Sequence, residues 1–130
     1  MSNIRKPLEW VGRSQDDFME FPAWAMQKFG RQLNVAQWGE HPPESKPLQG
    51  FGSANVLQLS ELGEEGTFRV VFTVRFGGVI YVLHAFQKKS KSGGKTPDAE
   101  LERIRNRLNM AKRHYEQRLK DDDAAETSPG

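Results

Sequence analysis

The residues best suited to chemistry lie between positions 69 and 95: Arg69, Lys88, Lys89, Lys91 and Lys95, with His84 and Phe86 among them. Such cations bind phosphates through charge-assisted hydrogen bonds, and an aromatic ring offers a nucleobase a surface to stack on. The pattern therefore points to nucleic acid, against the plainer alternative that Gln87-Lys88-Lys89 merely ends a strand with soluble residues. No Asp or Glu falls between Phe68 and Lys89, so a two-carboxylate hydrolytic pair has no support there. No Ser/His/Asp arrangement can be placed. His41 and His114 have no ligand spacing between them, and the chain has no cysteine. Thiol chemistry and disulfides are excluded, and neither a metal site nor a cofactor is expected.

Residues 68–89 must position these groups. Phe68, Val70, Phe72, Val74 and Phe76 alternate with Arg69, Val71, Thr73 and Arg75, the period of a strand. Gly77-Gly78 is a two-residue hairpin signal, and Val79 to Phe86 forms the returning strand. This register predicts Phe76 opposite Val79, Val74 opposite Tyr81, Phe72 opposite Leu83 and Val70 opposite Ala85, all on one core face. Arg69 opposite Phe86, Val71 opposite His84, and Lys88 diagonal to Arg69 then share the other face.

Upstream, Leu8-Glu9-Trp10-Val11 alternates as a short edge strand, and Ser14 with Asp17 resembles a capping box. Pro22 suits the first turn of a second helix, whose apolar stripe is Ala25, Met26, Phe29, Leu33 and Ala36 and whose end is expected near Gly39. Residues 46–53 read as a loop or ragged strand. Asn55–Ser60 reads as a strand, and Gly63–Gly66 turns it into the central hairpin, completing an antiparallel meander. After a basic loop, Thr96 reads as a helix N-cap and Pro97 as the first helical residue. The last helix should end near Leu119, with Leu101, Ile104, Leu108, Ala111 and Tyr115 as its stripe.

The 130 residues suit one domain, taken as 1–120, followed by a disordered acidic tail, 121–130. That tail carries four acids and no base, so the net charge of +2 conceals a body of about +6, suited to a polyanionic partner. No apolar run reaches membrane-spanning length and no signal-peptide core is visible, which leads us to expect a cytoplasmic protein.

Phe68-Arg69-Val70-Val71-Phe72, the block Leu83-His84-Ala85-Phe86-Gln87-Lys88-Lys89-Ser90, and Thr96-Pro97 opening a basic helix resemble the phage-derived, HigB-like branch of the RelE/ParE toxin superfamily. Phe21-Pro22 and residues 46–52 resemble the same branch, and the likeness spans residues 6–118. The resemblance implies an α+β, RelE-like fold: a small antiparallel sheet, a meander with a central hairpin, packed by N-terminal helices and a C-terminal helix, with helices on one face. It also implies a type II toxin: a ribosome-dependent mRNA endonuclease that works without metal and is neutralised by a cognate antitoxin, often a helix-turn-helix protein. Carried over, Arg69, Lys88 and Lys89 become catalytic, Arg69 stabilising charge on the phosphate. His84, Phe86, Lys91 and Lys95 become substrate-binding. Two departures stand out. Leu57-Gln58-Leu59-Ser60 lacks the basic residues of active relatives, and Tyr115 sits on the helix stripe instead of supplying a C-terminal aromatic. Alternatives are a non-catalytic RNA- or ribosome-binding module, a protein inhibitor of the ParE type, or a phage accessory protein.

Overall fold

The computed structural model describes residues 4–52, 55–88 and 95–127. The elements run β1 (Leu8–Trp10), α1 (Ser14–Phe18), α2 (Ala23–Gln37), β2 (Lys46–Pro47), β3 (Val56–Gly63), β4 (Gly66–Thr73), β5 (Ile80–Lys88) and α3 (Asp98–Thr127). They form an α+β fold around one five-stranded sheet of order β1-β5-β4-β3-β2. The expected meander β3-β4-β5 is present and antiparallel. The sheet as a whole is mixed, because the expected edge strand β1 pairs in parallel with β5, Glu9 opposite Tyr81. A parallel neighbour needs a long crossover, and everything between β1 and β5 supplies it.

The hairpin register is half as expected. Arg69 pairs with Phe86, Val70 with Ala85 and Val71 with His84, but Phe72 pairs with Val82 and Thr73 with Tyr81. Leu83 is thus an extra residue on β5, a β-bulge. The turn explains why the ladder stops short. Val79 N–H does donate to the Phe76 carbonyl across Gly77-Gly78, yet only Gly78 has positive φ, at 88°. That is the signature of a type II turn, whose twist splays the flanking strands.

The bulge changes which residues share a face. Phe68, Val70, Phe72, Ile80, Val82 and Ala85 pack with Phe18, Phe21, Phe29 and Leu33 of the N-terminal helices. Val71, Tyr81, Leu83, Val56 and Phe76 pack instead with Ile104 and Ala111 of α3. The helices therefore cover both faces, and the expectation of one helix-covered face, with Tyr81 and Leu83 beside Phe72, is corrected. A strand alternation that already holds Val71 needs only Leu83 and Tyr81 to make a second apolar seam, and α3 closes it.

Local signals fared unevenly. Gly39, with φ 84°, follows the Trp38 C-cap of α2 as a left-handed terminator should. Pro22 is the N-cap of α2 and not its first helical residue. Ser14 does not cap α1; its hydroxyl donates to the Val82 carbonyl at 3.1 Å and ties α1 to β5. Helix α3 continues past Leu119 to Thr127, into the segment expected as a tail.

Phe29 and Ile104 are fully buried on opposite faces of the sheet. Phe29→Ala and Ile104→Ala should each lower the unfolding free energy by about 2–5 kcal/mol in urea titrations, the range for cavities left by large core side chains. A near-neutral Ile104→Ala would mean that α3 is not part of the core.

Candidate functional site

The expected functional groups gather at the end of the sheet away from the Gly77-Gly78 turn, where the first turns of α3 cross β4 and β5. Arg69 and His84 lie on the face that α3 covers, and both are buried, at 3% and 1% exposure. Arg69 donates to the Thr96 hydroxyl at 3.3 Å, and Thr96 donates onward to the Gln58 side-chain oxygen at 3.0 Å. Arg69 is thus enclosed beneath the chain entering α3 and linked through Thr96 to β3. Thr96 is drawn into this link instead of serving as a simple helix cap. Burial lowers the Arg69 pKa from its ordinary value, and a guanidinium is so basic that it remains charged.

His84 sits in a chain of polar contacts. One guanidinium nitrogen of Arg107, Nη1, donates to His84 Nδ1 at 2.9 Å and to the Leu83 carbonyl at 3.0 Å. On the other side, His84 Nε2 lies 2.5 Å from Glu100 Oε2. A guanidinium can only donate, so Nδ1 accepts and the imidazole proton resides on Nε2, directed at the carboxylate. Burial above all lowers the His84 pKa; Glu100 opposes this, and Arg107 and Arg103 reinforce it. Arg107 reaches this position by passing over Gly12, where a Cβ would come within 3.0 Å of its Nε and φ is +58°. The His84 ring stacks on Phe86, with centroids 4.9 Å apart.

The remaining expected residues lie at the rim. Lys88 is half-buried and donates to the Lys95 carbonyl at 3.1 Å, and Lys95 is exposed. Lys89 and Lys91 lie outside the described residues. The structure thus brings Arg69, His84, Phe86 and Lys88 to one face, with the first two sealed inside. Sequence reasoning missed Gln58, Thr96, Glu100 and Arg107. The last two could have been found from their seven-residue spacing, which puts them on one side of α3 flanking Ile104. No cluster of potential metal ligands occurs among the described residues.

A cleft of about 600 Å³ opens beside this network, between the end of α1, the outer edge of β5 and the start of α3. Its charged lining is mixed: Asp17, Glu20 and Glu100 against Lys88 and Arg103.

Two measurements test this geometry. Thr96→Val keeps the shape but removes the hydroxyl that links Arg69 to Gln58, and should cost about 1–3 kcal/mol of stability; no change in urea midpoint would disprove the bridge. The lowered His84 pKa means that the unfolded chain binds that proton more readily. The stability His84 contributes is therefore complete above about pH 6.5 and is lost as pH falls through the lower folded value. Urea midpoints between about pH 8 and pH 5 should fall more steeply in the wild type than in His84→Gln. Parallel profiles would contradict the assignment.

A structure of the E. coli toxin RelE, an arginine-to-alanine double mutant in the free state, superposes with TM-score 0.51 at 13% identity, covering 83% of this chain and 98% of that one. A crystal structure of the isolated E. coli RelE toxin gives TM-score 0.46 at 14% identity, covering 78% and 97%. The first establishes a shared fold. No curated protein matches in sequence. Residues 16–109, from α1 to the middle of α3, match the family described as phage-derived protein Gp49-like, and the chain belongs to that family.

Proposed function

We propose that this protein is the toxin of a type II toxin–antitoxin pair, of the HigB-like branch, and that it cuts messenger RNA on the ribosome without a metal ion. The observation that carries this reading is the RelE-like backbone in a chain of the Gp49-like family, which presents Lys88 on the same sheet face as Arg69. In the proposed reaction the ribose 2′-oxygen loses its proton and bonds to the adjacent phosphorus, while the 5′-oxygen leaves and takes up a proton. Lys88 and Lys89 would hold the phosphate, and the Arg69 charge would offset the negative charge that builds on it. Phe86, Lys91 and Lys95 would guide the strand, and His84 would support Phe86 from below. A cognate antitoxin, of helix-turn-helix type in this reading, would neutralise the protein. No helix among the described residues is long and apolar enough to cross a membrane.

A second reading has its own support. Arg69 is covered by Thr96, and the neighbouring β3 positions are the neutral Gln58 and Ser60. Those features favour a module that binds RNA or ribosomes without cutting.

Induced expression, with and without a co-expressed antitoxin, separates the two. The toxin reading expects growth arrest and message cleaved during translation, with Arg69→Lys and Lys88→Ala each lowering cleavage by about a hundredfold or more. Normal growth with intact transcripts at high soluble expression would sink it. Salt-dependent ribosome binding that leaves message whole would establish the second reading.

A further inference from the structure

Strand β3 has an outer edge that β2 covers only at Leu57 and Gln58. Its register with β4 runs unbroken from Val56 to Gly63. Leu48 N–H donates to the Val56 carbonyl at 2.9 Å from the β2 side, and Val74 N–H donates to the Asn55 carbonyl at 3.2 Å from the β4 side. Successive residues of an antiparallel strand turn their backbone groups to opposite sides. The N–H and C=O groups of Ser60 and Leu62 therefore point away from β4, as those of Val56 do. No described strand pairs with them there, and no described turn or loop bonds to them. Ser60 is exposed and Leu62 is 64% exposed. A cleft of about 410 Å³, lined by Glu44, Lys46, Gln58, Ser60 and Glu61, opens along this edge.

The two faces of this edge differ in chemistry. On the α3 side, Leu62 follows Gln58 and Ser60 and offers an uncovered apolar side chain. On the α2 side, Glu61 meets Lys28 Nζ at 3.7 Å and also lies beside the Glu44 carboxyl. Burial above all pushes the Glu61 pKa up; Lys28 opposes this, and Glu44 adds to it. A further cation would relieve the repulsion between the two carboxylates. An added strand sends successive side chains to opposite faces, so a basic residue beside Glu61 places its neighbour beside Leu62. Strand β2 cannot serve the same purpose at its own outer edge, because Pro47 has no N–H to offer and Lys46 precedes it.

We propose that the outer edge of β3 from Ser60 to Leu62 docks an extended segment of a partner protein that sets a basic residue against Glu61 and an apolar one against Leu62. Backbone hydrogen bonds to Ser60 and Leu62 supply the affinity, and the Glu44–Glu61 pair selects the basic position. Two copies of this chain joined edge to edge would bring their carboxylate pairs together, so charge favours a basic partner over a second copy. The site goes beyond the proposed nuclease activity, and it stands or falls without it.

The test is amide hydrogen exchange on the full chain, alone and with a short blocked peptide alternating lysine and valine. In the free protein the Ser60 and Leu62 amides should exchange much faster than those of Leu59 and Glu61, which β4 holds. Saturating peptide should slow Ser60 and Leu62 by about tenfold or more, and a version with glutamate for lysine should not. By calorimetry, Glu44→Lys, at an exposed position, should weaken the lysine peptide about fivefold. N-methylation of alternate peptide bonds in one of the two registers should abolish binding, with no change to the protein and hence no question of its folding. Slow exchange of Ser60 and Leu62 in the free protein would overturn the proposal, since their backbone groups would already be paired. Equal binding of the glutamate peptide, unchanged affinity in Glu44→Lys, or tolerance of N-methylation in both registers would also overturn it. So would protection by an oligouridylate but not by the peptide, which would assign the edge to nucleic acid. Protection that rises with protein concentration alone would assign it to a second copy and would equally overturn the proposal.

Discussion

Strand β4 is buried along its entire length on both faces, and the rest of the structure depends on that double burial. A strand flanked by β3 and β5 and covered by helices above and below has no solvated side. Its apolar residues Phe68, Val70 and Phe72 face the N-terminal helices, whereas Arg69, Val71 and Thr73 face α3. Removing an arginine from water costs several kcal/mol unless hydrogen bonds replace its hydration. Arg69 therefore commits the start of α3, through Thr96, to lie where it does. The contact fastens a helix to a sheet as much as it supplies a charge.

The bulge at Leu83 makes this double burial possible. One extra residue on β5 shifts the phase of its side chains, so that Leu83 and Tyr81 join Val71 beneath α3 while Val82 and Ile80 remain with α2. It also leaves Leu83 without a ladder partner on β4. Arg107 meets the Leu83 carbonyl from α3 and with the same nitrogen fixes the His84 ring. The polar chain Glu100–His84–Arg107 is thus the counterpart of the Arg69–Thr96–Gln58 bridge. Each satisfies a group that burial would otherwise leave costly.

The consequence for function is a separation of layers. Charges placed deep in the sheet hold α3 in position, whereas Lys88 and Lys95 lie at the rim, Lys88 bonded to the Lys95 carbonyl. The RelE-like backbone is a scaffold, and a scaffold does not by itself fix an activity. Similarity of fold at 13% identity carries over the scaffold and leaves the chemistry to be read from this chain's own residues.

Much of the architecture was legible in the sequence. The alternation of Phe68–Thr73, the apolar stripe of α2 with Gly39 behind it, and the stripe from Ile104 to Tyr115 each follow from local periodicity and backbone preference. The pairing of Arg69 with Phe86 and of Val71 with His84 followed from the same counting, since both lie beyond the bulge. The blocks around Arg69 and His84 also carried the family likeness, because they are contiguous. What lay beyond the sequence was anything decided by contact between distant segments. Strand periodicity cannot reveal an extra residue at Leu83, because a bulge is set by the mutual twist of β4 and β5. Nor could it say that α3 would cross the face holding Arg69, so that its guanidinium lies in an interior beside Thr96. Ser14 and Thr96 carried capping signals that were real as local propensities. Tertiary structure redirected both hydroxyls, to Val82 and to Gln58, because a buried acceptor in a closing sheet has a stronger need of a donor than a helix end that water can reach.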